Sequence, residues 1–275
     1  MQELARTFDN FLRHEMSTYA AALAYRGLLA LFPFVIFLVA LVNVLEVWRL
    51  PAMLAAWART SPEGRVPAAI KEWMVVQAFE RPEGAVLSVG AVAALWAVAS
   101  GARVLRRALN VAAEMPEIHP AWLRLALSFV VAPALGAAIV AAVVLFTVTR
   151  GFLLRLAGWF DLNDLVVALW DWFRLPVGVV LASLAISAVY VFGPSHRPRF
   201  RSVLPGALLA ALVWAIASFI FPRAASTALQ FGATYGSFTA AIVLLVYLYL
   251  AAAGQLFGAE LNAVLIRKAD QTRRG

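Results

Sequence analysis

The stretch from Tyr235 to Leu265 limits the fold more than any other part of this chain. From Phe238 to Ala259 it is apolar at every position except Thr239 and Gln255. A helix rises about 1.5 Å per residue, so this run crosses a hydrocarbon core of roughly 30 Å. A water-soluble domain of this size has no need of such a helix near its end. Gly236 and Ser237 open the run, and Arg267 and Lys268 close it. Gln255, Glu260 and Asn262 lie towards its closing end, where lipid penalises polar groups. The rest of the chain reads as a set of partners for this helix.

Composition extends that reading to the whole chain. Hydrophobic residues make up 63% and charged residues 14%, against about 45–50% and about 25% in soluble domains. The 275 residues therefore read as a single integral membrane domain, 1–275, with little room for a separate soluble one. There is no cysteine, which excludes disulfides, thiolate chemistry and cysteine-held metals. A net charge of +8 is expected from the positive-inside bias of membrane proteins, and nucleic acid is not an expected partner. Residues 1–16 mix acids and bases and do not read as a signal peptide.

In chain order, Leu4, Phe8, Phe11, Leu12, Met16 and Tyr19 share one arc. They predict an amphipathic helix over 3–19 that lies in the interface. Spans are expected at about 28–48, 85–105, 122–148, 176–192, 203–221 and 238–264. Pro33 should kink the first and Pro133 the third. Pro176 opens the fourth and Pro222 closes the fifth, with Ser202 as a candidate cap. Val66, Ala69, Ile70, Trp73 and Met74 suggest an interfacial helix in the loop at 49–84. Trp159, Phe160, Trp170, Trp172 and Phe173 suit a membrane–water interface. No internal repeat is evident. The fold class is thus all-α: a polytopic six-transmembrane-helix bundle with amphipathic interfacial helices.

Six spans put both termini on one side. The segments on that side hold 14 Lys and Arg residues and the opposite, longer loops hold nine. Both termini are therefore expected in the cytoplasm.

Three stretches carry a resemblance. AAALAYRGLLALFPF at 20–34 resembles the entry segment of the YihY/BrkB family of bacterial inner-membrane proteins. LPGALLAALVWAIASFIF at 204–221, after the basic loop HRPRFR, is similar to that family's fifth span. YGSFTAAIVLLVYLYLAAAGQLFGAELNAVL at 235–265 resembles its closing helix, with the YGS start and GAELN end. The order and spacing agree over nearly the whole chain. Arg26 and Ala30 depart from the pattern, which more often has an aromatic or small residue and a serine there. The resemblance implies a six-helix protein of the bacterial inner membrane. It implies no settled activity, since the family has carried both a ribonuclease label and a virulence label.

Hydrolysing RNA requires a metal cluster or a paired acid and base in a wet groove. His14, His119 and His196 are scattered over three polar segments, so the chain reads as a non-enzyme without a cofactor. Glu260 has three readings. It is an ion-pair partner of Arg103, Arg106 or Arg107, or a proton carrier, cation carrier or substrate ligand, or a snorkelling surface carboxylate. Gln255 and Asn262 share a face and read as interhelical hydrogen bonders or a cavity lining. Gly254 and Gly258 read as a close-packing pair. Tyr247 and Tyr249 point to different sides, and Trp96 and Trp214 read as packing. The expected function is binding or moving an anionic lipid or other amphiphile, with Arg26, Arg103, Arg106, Gln255 and Glu260 as pathway candidates. The alternative is a non-transporting envelope scaffold, packed solid where a transporter would have a polar cavity.

Overall fold

The computed structural model describes residues 2–44, 84–116, 163–195, 198–230 and 236–274. Among them are six helices and no strand. They are α1 (Gln2–Arg13), α2 (Met16–Val44), α3 (Gly84–Ala112), α4 (Asn163–Phe192), α5 (Phe200–Gln230) and α6 (Gly236–Arg274). The expected span at 122–148, the interfacial helix near 66–76 and the aromatic residues Trp159 and Phe160 lie outside the described residues.

Among the described residues, three helices are long and apolar enough to cross a membrane, over Leu175–Phe192, Phe200–Ser226 and Ala241–Thr272. Only 22% of the first window is buried within the protein, so most of that apolar surface faces whatever surrounds the chain. The residues left outside are large and recur at helical spacing. Val177, Val180, Leu181 and Leu184 line α4, while Leu208, Leu212, Ile216 and Ile220 line α5. The residues turned inward include many small ones: Ala207, Ala210, Ala211 and Ala217 on α5, and Ala252 and Ala259 on α6. Lipid is as apolar as leucine, so burying large side chains gains little there and small residues let backbones approach.

The expected helix over 3–19 is two helices. α1 ends at Arg13, the His14 amide donates to the Asn10 carbonyl at 2.8 Å, and Glu15 adopts a left-handed backbone with φ 52°. Leu4, Phe8 and Leu12 form an exposed stripe on α1, as an interfacial helix requires. Met16, placed on that same arc by sequence, is fully buried at the start of α2. α2 begins well before the expected first span and runs unbroken through Pro33. Pro176 and Pro222 lie inside α4 and α5, so neither marks a boundary. Ser202 is not a cap, because α5 starts at Phe200 and the Ser202 amide already donates to the Arg199 carbonyl at 2.9 Å.

The chain divides into two compact units. The first comprises Met1–His14, Arg106–Leu212 and Gln255–Gly275, and the second comprises Glu15–Leu105 and Val213–Gly254.

In the first unit the α5–α6 contact is made backbone to backbone. A methyl group on Gly258 would overlap the Gly206 carbonyl and sit 2.7 Å from Tyr190 Oη. Asn262 latches the same contact. Its Nδ2 donates to the Val203 carbonyl at 2.9 Å and its Oδ1 accepts from the Gly206 amide at 2.8 Å. Pro205 removes one amide from this turn of α5, and the buried Asn262 side chain supplies polar partners there. Tyr190 on α4 donates its hydroxyl to the Gln255 carbonyl.

In the second unit, Gly254 meets Val213, whose Cγ1 would lie 2.6 Å from an added methyl. Tyr247 Oη and Ser218 Oγ are 2.9 Å apart, and the Tyr247 ring packs on Phe221 at 4.7 Å between centroids. Trp96 and Trp214 are exposed, so they are not core packing.

Candidate functional site

Two constellations in the first unit carry chemistry. The first is centred on Glu260, in the GAELN segment of α6. Its carboxylate is fully buried, with Oε1 2.7 Å from His14 Nδ1. Its Oε2 is buried with no hydrogen-bond partner. The other ring nitrogen of His14 lies 3.7 Å from Glu114 Oε1. Glu114 also meets Arg13 at 3.3 Å and Arg267 at 2.5 Å.

The backbone holds Glu114 in place. At the end of α3 the Met115 amide donates to the Asn110 carbonyl and the Glu114 amide to the Val111 carbonyl, both at 3.0 Å. This is the paired closure that ends helices on a left-handed residue, normally glycine. Glu114 occupies that position with φ 53°, at a steric cost of roughly 1–2 kcal/mol for a residue with a Cβ. Its contacts to two arginines and His14 offset that strain.

The second constellation is a cavity of about 570 Å³ among α3, α4, α5 and α6 of the first unit. Leu109, Met115, Val203 and Ile266 supply apolar wall. Arg199, Arg267, Asp270, Ser202 and Asn262 supply polar groups. The first turn of α5 also lines it, and first-turn amides without intrahelical partners favour negative charge.

The residues singled out from the sequence are distributed differently from expectation. Glu260 pairs with His14 and not with Arg103, Arg106 or Arg107. Arg106 donates from Nε to the Gly193 carbonyl at 3.1 Å. One turn further along α3, Asn110 grips Ser195 through two bonds, at 2.8 Å and 3.2 Å. Together they clamp the turn after α4. Gly193 fits there because a side chain would come within 2.6 Å of Leu109. In the second unit, Arg26 Nη1 donates to the Ser100 carbonyl at 2.8 Å. Arg103, one turn on, lies over the Trp96 ring at 5.6 Å and has a buried Nη1 without a hydrogen-bond partner. Gln255 is half-buried and takes part through its carbonyl. None of these five candidates lines the cavity.

His14, Glu114, Arg199, Arg267 and Asp270 were not legible as site residues. Among the described residues, no group of three or more His, Asp or Glu side chains is arranged to hold a metal ion.

The profile of the virulence factor BrkB family matches residues 7–275. The chain belongs to the BrkB family. It is 31% identical over 277 residues to the ribonuclease-like protein YfkH of Bacillus subtilis (strain 168), covering 98% of this chain and 96% of the relative. No solved structure matches it. BrkB membership and the apolar helices together make this a membrane protein. The GAELN segment of this BrkB chain supplies the Glu260 contact to His14, the Asn262 latch on α5 and the close approach at Gly258.

Proposed function

We propose that this BrkB-family protein is a non-enzymatic protein of the bacterial inner membrane, with both termini in the cytoplasm, that binds and translocates an anionic amphiphile. The observation that carries the reading is the cavity of the first unit. Its volume of about 570 Å³ falls within the roughly 300–1,000 Å³ of small-molecule sites. Its walls pair apolar side chains with Arg199, Arg267 and the first turn of α5. An amphiphile with a negatively charged head matches that pairing, because an anion leaving water needs fixed positive groups. Arg26 and Arg103 offer a second cationic locus, and the buried Nη1 of Arg103 is a donor in want of an acceptor.

The test uses purified protein in liposomes carrying labelled anionic or zwitterionic lipids. The reading expects anionic lipid to be bound and moved in preference. It also expects Arg199→Ala, Arg26→Ala and Arg103→Ala proteins to fold and insert but lose that preference. Equal handling of both headgroups would remove the role given to the arginines. The rival reading is a non-transporting envelope scaffold, and the closed Gly206–Gly258 contact supports it. Wild-type protein that neither binds nor moves lipid would favour the scaffold.

A further inference from the structure

The His14 imidazole stands between two carboxyl groups of opposite exposure. On its Nδ1 side, at 2.7 Å, is Glu260, which no water reaches. On its Nε2 side, at 3.7 Å, is Glu114, whose side chain is 46% exposed. The ring itself is 13% exposed. A purely structural ion pair would be expected to satisfy both oxygens of a buried carboxylate. Here Glu260 Oε2 has no hydrogen-bond partner. Burying charge without a full set of partners is costly, and a proton is a partner that can enter a sealed site through a neighbouring ring. The site thus offers a proton two resting places, on His14 or on Glu260.

We propose that His14 is a proton shuttle through which the sealed Glu260 exchanges its proton with water at Glu114. Loading starts with neutral His14 hydrogen-bonded through its Nδ1–H to ionised Glu260. A proton reaches Nε2 from Glu114, or from a water held by Glu114, and the ring becomes imidazolium. The Nδ1–H bond then breaks and the proton bonds to Glu260 Oε1. This leaves neutral Glu260 and a neutral ring protonated at Nε2. Unloading reverses each step. Only a proton is transferred, and no oxidant or reductant is needed. The gap of 3.7 Å on the Nε2 side exceeds a hydrogen bond and closes through a rotation of Glu114 or one bridging water.

The charged groups facing the site are Arg13 from α1, Glu114 at the end of α3 and Arg267 from α6. The two arginines anchor the Glu114 carboxylate by ion pairs. The strained left-handed backbone of Glu114 fixes that carboxylate at the mouth of the path. The proposal goes beyond amphiphile binding and does not depend on it, because proton exchange at Glu260 can be read without any lipid substrate.

The experiment is a rapid pH drop on the full-length protein in nanodiscs, followed by time-resolved infrared absorption of protonated carboxyl groups. The band missing in Glu260→Gln identifies Glu260. In wild type this band should rise after the drop. Glu114→Gln and His14→Gln should slow the rise by about 10²-fold, the lower end of what a positioned acid–base group contributes. Glu114→Gln should reach the wild-type final amplitude, because a relay sets the rate, whereas a structural contact sets the end point. Glu114 is half exposed, so its variant keeps the test available if His14→Gln fails to fold. A Glu260 band that does not respond to pH would overturn the proposal, as would wild-type rates in Glu114→Gln.

Discussion

Replacing Gly258 with alanine tests the α5–α6 contact by its sign. An ordinary carbon contact needs at least 3.4 Å, and the new methyl would meet Tyr190 Oη at 2.7 Å. Tyr190 on α4 must therefore give way by about 0.7 Å, the difference between those distances, and the overlap with the Gly206 carbonyl forces α5 and α6 apart by at least as much. The same displacement stretches the Asn262 bonds, now 2.8 and 2.9 Å, to or beyond the limit for a hydrogen bond. Overpacking costs about 1–3 kcal/mol, and two interhelical hydrogen bonds in a membrane add about 1 kcal/mol. Alanine returns about 1 kcal/mol of helix propensity. The net expectation is a loss of about 1–3 kcal/mol. Gly101 is the control, because nothing lies within 4 Å of its added methyl. Gly101→Ala should gain up to about 1 kcal/mol from propensity alone. The assay is reversible unfolding in mixed detergent micelles, with both variants measured against wild type. If Gly258→Ala proves as stable as Gly101→Ala, the backbone contact is not as described.

Glu260→Gln should cost about 1–3 kcal/mol, because its amide NH2 group then occupies the buried position where Oε2 has no partner. Adding His14→Gln should cost little more, and additive losses in the same unfolding assay would reject the pair. The Lys268 ammonium hydrogen-bonds Glu3 and, with its charge, holds that carboxyl below the usual carboxylate range. The tether of α1 to α6 is therefore complete above that range and is lost as pH falls through the lowered value. Hydrogen exchange of the α1 amides should rise in acid, and Lys268→Met should flatten that dependence. In a chain without native cysteine, a cysteine at Ser61 should react with an impermeant reagent outside intact cells. One at Thr272 should react only after lysis, and the reverse pattern would invert the orientation. Purified protein should leave RNA uncut, and cleavage abolished by Glu260→Gln would show an enzyme.

Much of the fold was legible because lipid makes span length a sequence property. The run after Phe238 announced α6, and the helix does carry on through it to Arg274. Boundaries were less legible wherever proline was read as punctuation. Pro176 and Pro222 each lie within a continuous helix. In a packed membrane bundle, neighbouring helices and side chains can satisfy the backbone groups a proline frees. The same reasoning misjudged Trp96 and Trp214. In water a tryptophan on an apolar helix belongs inside, but in lipid the outer surface is equally apolar and the interior favours alanine.

The site was partly legible, and the limit has a physical cause. Glu260 and Asn262 stand out because a charge or amide in an apolar span needs a reason. Their partners do not stand out, because the backbone Asn262 grips leaves no mark on side-chain identity. His14 lies 246 residues from Glu260, in a helix whose sequence advertises an interfacial role. Arginine looked the natural partner because Arg103, Arg106 and Arg107 cluster at one helix end. Yet a guanidinium brings a permanent charge into the protein interior, and Arg103 and Arg106 are occupied by an aromatic face and a turn carbonyl. An imidazole can meet a buried carboxylate in a neutral as well as a charged state. It can therefore sit against Glu260 without fixing the net charge of the site, which a pairing with arginine would not allow.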